Sequence, residues 1–214
     1  MSMAQIKTLR QRTGAGILDC KKALSEAGGD LDAAVDWLRT KGIANAAKKS
    51  SRIASEGLVG SYIHANGKIG VLLEVNCETD FVALNDNFKD LVQDISMHIA
   101  AAAPEYVSRD EVPADVAAKE KEIQLARTIE EGKPPQIAEK IVEGRMNKWF
   151  QDICLLEQKF VKADDKTVEQ VVQDAVATIG ENIKVRRFSR FVLGEGLEKR
   201  SDDFAAEVAA QVGN

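Results

Sequence analysis

Cysteine, histidine and aromatic side chains are all scarce in this 214-residue chain, and each scarcity removes a class of function. Three cysteines, Cys20, Cys77 and Cys154, lie far apart in sequence, which suits neither a disulfide framework nor zinc-ligand spacing. Reduced thiols in a cytoplasmic protein are expected. The two histidines, His64 and His98, have no Cys or His partner at ligand spacing, so both read as structural. There is no glycine-rich phosphate loop with its lysine, no G-x-G-x-x-G after a strand and no H-E-x-x-H. Carboxylates are plentiful but scattered over helix faces, and Cys77 and Cys154 have no arranged base nearby, so no enzyme, metal or cofactor is indicated. No run approaches the roughly 18 apolar residues that cross a bilayer, and the start lacks the apolar stretch of a secretory signal, so no membrane partner is expected. A net charge of −5 disfavours broad nucleic-acid binding, which needs clustered lysines and arginines along a phosphate track.

What is present is enough apolar content, 44%, for one ordinary core with small appendages. Charge is unevenly spread: residues 1–54 carry ten Lys/Arg against five Asp/Glu, so a basic N-terminal module sits on an acidic body. That polarity fits a solvated helical surface or steering toward an acidic partner patch equally well. Within the module, Ile6 and Leu9, then Ile17, Cys20 and Leu24, then Leu31, Ala34, Val35 and Leu38 recur at helical spacing. Three short helices are predicted over 4–47, stopped at Gly14/Gly16 and Gly28/Gly29, with Asp30 as an N-cap and Gly42 closing the third.

From Leu58 the period changes to two. Asn66-Gly67 between apolar runs predicts a tight hairpin of strands at about 57–65 and 68–77, with Ile69, Val71, Leu73, Val75 and Cys77 on the buried face. A third strand is expected at 184–193, alternating Val185, Arg187, Ser189, Phe191 and Leu193 against Arg186, Phe188, Arg190 and Val192. Two amphipathic helices supply the cover: one with Phe88, Leu91, Val92, Ile95 and Ile99, the other with Val168, Val171, Val172, Ala175, Val176 and Ile179. Gly132-Lys133-Pro134-Pro135 separates two helical stretches, about 113–131 and 135–153, which read as an antiparallel helical hairpin. Its facing positions are expected to include Ile123, Ala126 and Ile129 on one arm and Ile141, Met146, Trp149, Phe150 and Ile153 on the other. A last helix over 202–211 carries Phe204 and Val208. The fold class is α+β: an N-terminal three-helix module (1–54), a first core part (55–112), a helical arm (113–164), a second core part (165–200) and a C-terminal helix (201–214).

One segment has two readings. In Asn76-Cys77-Glu78-Thr79-Asp80-Phe81-Val82-Ala83, helix grammar has Thr79 or Asp80 capping a helix and Phe81 entering the core. Alternatively, Phe81 protrudes at the sheet corner as an apolar anchor for a partner's pocket, with Asp80 beside it.

That run, NCETDFVA, resembles the signature of the elongation factor Ts family, as do LRQRTGAGILDCKKAL at 9–24, IAEKIVEGRM at 137–146 and DFAAEVAA at 203–210. The resemblance implies a ubiquitin-associated-like N-terminal module, a three-stranded antiparallel sheet, an arm that projects as a coiled coil and a C-terminal helix. It implies that Asp80 and Phe81, flanked by Thr79 and Val82, enter the GTPase domain of elongation factor Tu and disturb its Mg²⁺ and nucleotide site. It further implies contact with that domain through Arg10, Ile17, Leu18 and Lys21. At Ile17 and Leu18 other members can carry methionine, which keeps the apolar character but not the shape. The single hairpin and single later strand resemble the family's short form, in which two chains can pair to complete the core, so a homodimer is expected. The function implied is guanine-nucleotide exchange by linkage, without covalent chemistry. The competing readings are a ribosome- or RNA-associated module using the basic helices and a cysteine-dependent hydrolase.

Overall fold

Residues 2–197 are described by the computed structural model, so the expected helix at 202–211 lies outside the described residues. The first three helices are α1 (Met3–Thr13), α2 (Ile17–Glu26) and α3 (Leu31–Lys49). Ser2 and Gln5 close a reciprocal capping box at the start of α1, and the Asp30 side chain accepts the Ala33 N–H at the start of α3. Ile6, Leu9, Cys20, Ala23, Leu24 and Ala34 bury themselves in a small core of their own. Two expectations are corrected here. Ile17 is exposed although it has the helical spacing of Cys20 and Leu24, because it is the first residue of α2 and lies at the end of their stripe. Gly42 does not end α3. It lies inside the helix where a Cβ would come within 3.2 Å of the Ala177 Cβ, so its role is to let α3 approach a later helix closely.

Strands β1 (Glu56–His64), β2 (Ile69–Cys77) and β5 (Lys184–Val192) form one antiparallel sheet with β2 in the middle. Asn66 and Gly67 both have positive φ, and the Lys68 N–H donates to the Ala65 carbonyl at 3.3 Å, as the expected hairpin turn requires. Val71, Leu73, Val75 and Cys77 are buried, under α5 (Asp86–Ala102) and α8 (Val168–Ile179), whose expected apolar stripes all meet the core. On β5 the strict alternation fails: Val185 and Phe188 both pack on the core although they are three positions apart. A bulge opposite the Glu74/Val75 step leaves Arg186 as an extra residue and reverses the facing of everything after it.

The helical hairpin consists of α6 (Ala114–Glu130) and α7 (Pro135–Ile153). Ile153 is buried, and Ile141, Met146, Trp149 and Phe150 are half-buried, as expected of that arm. Ile123, Ala126 and Ile129 instead face solvent. The reason is a polar seam: buried Thr128 accepts from the Arg145 guanidinium at 3.1 Å, and Arg145 also grips Glu131 at 2.7 Å. A guanidinium held by a hydroxyl and a carboxylate fixes the helix rotation more narrowly than isoleucines could. Residues 154–160, read from sequence with the arm, pack into the main core through Leu155 and Phe160. They lead into a two-stranded ribbon, β3 (Lys159–Phe160) and β4 (Ala163–Thr167), which no period in so short a stretch could reveal.

His98 ties this ribbon to α5. The Val161 N–H donates to His98 Nδ1 at 3.3 Å, so Nε2 must carry the proton and donate to Gln158 Oε1 at 2.9 Å. Burial holds the imidazole below its ordinary range, with the Gln158 bond opposing that shift. Protonating Nδ1 would remove the acceptor that Val161 uses. A depressed histidine pKa favours the native state fully above pH 6.5 and progressively less as pH falls toward the native pKa. Stability is therefore expected to fall on acidification from about pH 7 to 5.5, by up to about 1.4 kcal/mol per pH unit for this one proton. In His98→Gln the difference between denaturant midpoints at the two pH values should shrink; an unchanged difference would refute the assignment.

Candidate functional site

At the end of β2 the chain turns sharply into α4 (Asp80–Ala83) and then α5. Thr79 caps α4, its Oγ1 accepting the Val82 N–H at 3.4 Å. The cap turns Val82 and Ala83 toward the core and Phe81 outward. Phe81 is 82% exposed, with exposed Asp80 before it and exposed Leu84 after it. Of the two readings of this segment, the half concerning the cap holds and the half that buries Phe81 does not. Thr79, Asp80, Phe81 and Val82 thus form one corner in which an apolar ring and a carboxylate stand in solvent side by side.

The ground beneath the corner is tied to distant chain. Glu181, just after α8, accepts the Glu78 and Thr79 N–H groups at 3.0 Å each and the Thr79 hydroxyl at 2.7 Å. In return, Glu78 accepts the Asn182 N–H at 2.7 Å and approaches the Arg52 guanidinium at 3.4 Å. Asn182 Nδ2 donates to the carbonyls of Arg52 at 2.7 Å and Ser50 at 3.4 Å, just past the end of α3. Sequence reading missed Glu78, Glu181 and Asn182. The one available signal was the pairing of two polar residues with Gly180, a position that ends a helix.

The other four singled-out residues lie on α1 and α2. Ile17, Leu18 and Lys21 share the outward face of α2, with Leu18 82% exposed, and Arg10 is exposed on the last turn of α1. An apolar pair flanked by two cations is suited to a surface that is apolar at its centre and acidic at its rim.

The thiols do not resemble nucleophiles. All three are buried and free, and burial pushes each above its ordinary range, Cys154 to about 11, whereas a nucleophilic thiolate needs the opposite shift. His64 stacks on Tyr62, whose hydroxyl lies 2.9 Å from Nδ1. Among the described residues, no group of three or more His, Cys, Asp or Glu could hold a metal ion, and no helix is long and apolar enough to cross a membrane.

The chain is similar to known proteins over its whole length. Residues 43–195 match the family model described as elongation factor TS. That span includes the corner and its ties but not Arg10, Ile17, Leu18 or Lys21. Full-length relatives cover those. "Elongation factor Ts" of Geobacter sulfurreducens is 63% identical over 213 residues, spanning 100% of this chain and 99% of the relative. The protein of the same name from Desulforamulus reducens is 60% identical over 212 residues, 99% of this chain and 98% of the relative. That of Heliobacterium modesticaldum is 60% identical over 212 residues, 99% of each chain. The chain therefore belongs to the elongation factor Ts family and has the role of a translation elongation factor.

Proposed function

We propose that this chain is a cytoplasmic guanine-nucleotide exchange factor for elongation factor Tu, acting as a binding protein rather than an enzyme. The observation that carries the reading is the exposure of Phe81 beside Asp80 on a corner braced from below. The ring contributes nothing to this chain's own core, and an exposed aromatic beside a carboxylate on a braced corner is suited to anchor in a partner's pocket. Inserted among the helices of the GTPase domain, the ring would displace the supports of the Mg²⁺ and nucleotide site, while Thr79 and Val82 hold the loop in shape. The same domain would meet Arg10, Ile17, Leu18 and Lys21 on a ubiquitin-associated-like module formed by residues 1–54.

Exchange then follows from linkage. A factor that binds the nucleotide-free GTPase more tightly than the GDP form weakens GDP binding by the same ratio. The test is elongation factor Tu loaded with a fluorescent GDP analogue and chased with excess GDP. Micromolar protein should accelerate the fluorescence decay, and no acceleration would sink the proposal.

Two finer features belong to the same reading. The α6–α7 hairpin would act as a projecting coiled-coil arm. The outer face of the sheet, where Val59, Ile63, Leu72 and Phe191 are all exposed, would pair with the same face of a second copy. Ile63, Gly70 and Phe191 lie in one row across the three strands, with Leu72 in the next row on that face. Gly70 has no side chain in this row, and the Ile63 Cδ1 lies over it, 3.4 Å from where a Cβ would stand. Sedimentation at micromolar concentration should show a species of about twice 23.3 kDa. Leu72→Asp with Phe191→Asp should return it to the monomer mass, and a wild-type protein sedimenting as a monomer would refute the pairing.

A further inference from the structure

We infer that Glu181 is a positioning residue for exchange: it holds the Phe81 corner in its partner-ready shape before any partner arrives, and Asn182 extends the same brace to the exit of α3. The inference rests on the reading of Phe81 as the inserted side chain. What it adds is a residue about a hundred positions away that touches no partner and sets how much of the binding energy is lost to ordering the loop.

The chemistry of the carboxylate makes the case. Glu181 can only accept, and it gathers three donors: Oε2 takes the successive N–H groups of Glu78 and Thr79, and Oε1 takes the Thr79 hydroxyl proton. Committing that one proton to Glu181 leaves the Thr79 oxygen with only lone pairs to offer, and one of these caps α4 through the Val82 N–H. The polarity of the cap is thus dictated by Glu181. Val82 faces the core, so the cap also decides that the preceding ring points away from it.

The brace is reciprocal and leads to the second proposed contact region. Glu78 accepts the Asn182 N–H, so two adjacent residues of one loop are exchanged for two adjacent residues of the other. Asn182 is only 3% exposed, and its amide reaches the Arg52 and Ser50 carbonyls. The loop after α8 therefore binds both the Phe81 corner and the end of α3, whose first half carries α1 and α2. Four bonds of 2.7–3.0 Å between the two loops, all of them to a carboxylate, exceed what a purely connecting loop needs.

Loss of pre-organisation should appear as weaker engagement rather than a slower step once engaged. In the labelled-GDP assay, Glu181→Ala is expected to raise the half-saturating concentration about tenfold while the maximal rate stays within about twofold. Glu181→Gln, whose amide oxygen can still take both N–H groups but whose NH2 would donate to the Thr79 oxygen instead of accepting its proton, should fall between wild type and Glu181→Ala, within about threefold of wild type on both measures. Amide hydrogen exchange supplies a readout on the unaltered protein: Glu78 and Thr79 should exchange much more slowly than Asp80 and Phe81. Equal exchange at all four amides would overturn the inference even if Glu181→Ala did not fold. So would a folded Glu181→Ala with wild-type half-saturation, or a Gln variant as impaired as Ala. Phe81→Ala runs alongside: if it keeps full activity the insertion reading itself fails, and if it loses activity while Glu181→Ala does not, only the brace fails.

Discussion

Phe81→Ala is expected to slow release of labelled GDP from elongation factor Tu by about tenfold or more, with a change in folding stability below about 1 kcal/mol. The two halves of that result have separate origins. An aromatic anchor filling a partner's pocket is worth about 1.4 kcal/mol or more, which is a factor of ten. The same ring is 82% exposed here, so truncating it empties no cavity and removes little packing. Asp80→Ala should cost exchange less, since the carboxylate orients the loop and fills no pocket. The double variant should fall short of the summed losses, because both side chains enter one contact. A folded double variant with full exchange activity would remove the corner from the mechanism and leave the face of Arg10, Ile17, Leu18 and Lys21 to drive it.

The opposite pattern is expected seven residues further along, at Phe88→Ala. Phe88 is fully buried on α5, in the main core. Emptying such a site costs about 3–5 kcal/mol, the lost transfer energy plus the cavity left behind. In a protein of this size that lowers Tm by on the order of 10 °C. Exchange activity below the melting range should change little, because the side chain touches only its own core. The measurement is a thermal melt paired with the exchange assay for each phenylalanine. If Phe88→Ala and Phe81→Ala shifted Tm equally, the assignment of one ring to the core and one to solvent would be wrong.

Those two phenylalanines show how far sequence reading reaches. Phe88 was legible because it belongs to a stripe, Phe88, Leu91, Val92, Ile95 and Ile99, whose spacing admits one buried face. Phe81 has no stripe. It stands in a four-residue helix, too short for a period, and local grammar drew it inward; only the family resemblance pointed outward. The outward face of α2 divides the same way. Leu18 broke no pattern by being exposed, whereas Ile17 fitted the spacing of Cys20 and Leu24 and still ended outside.

What the sequence determined by itself is whatever depends on neighbours within a turn or a hairpin: the cap at Asp30, the Asn66-Gly67 turn, the buried face of β2 and the stripes of α5 and α8. These are short-range choices, and the bonds that enforce them lie a few residues away. Tertiary structure decided the rest. The bulge at Arg186 reversed the facing of β5, the Thr128–Arg145 seam turned Ile123 and Ile129 outward, and Ala177 made Gly42 a point of close approach rather than a stop. Glu181, a lone acidic residue after a helix in the sequence, became the support of the Phe81 corner. In each case the deciding partner is far along the chain, and the free energy of meeting it exists only after the fold has brought the two together.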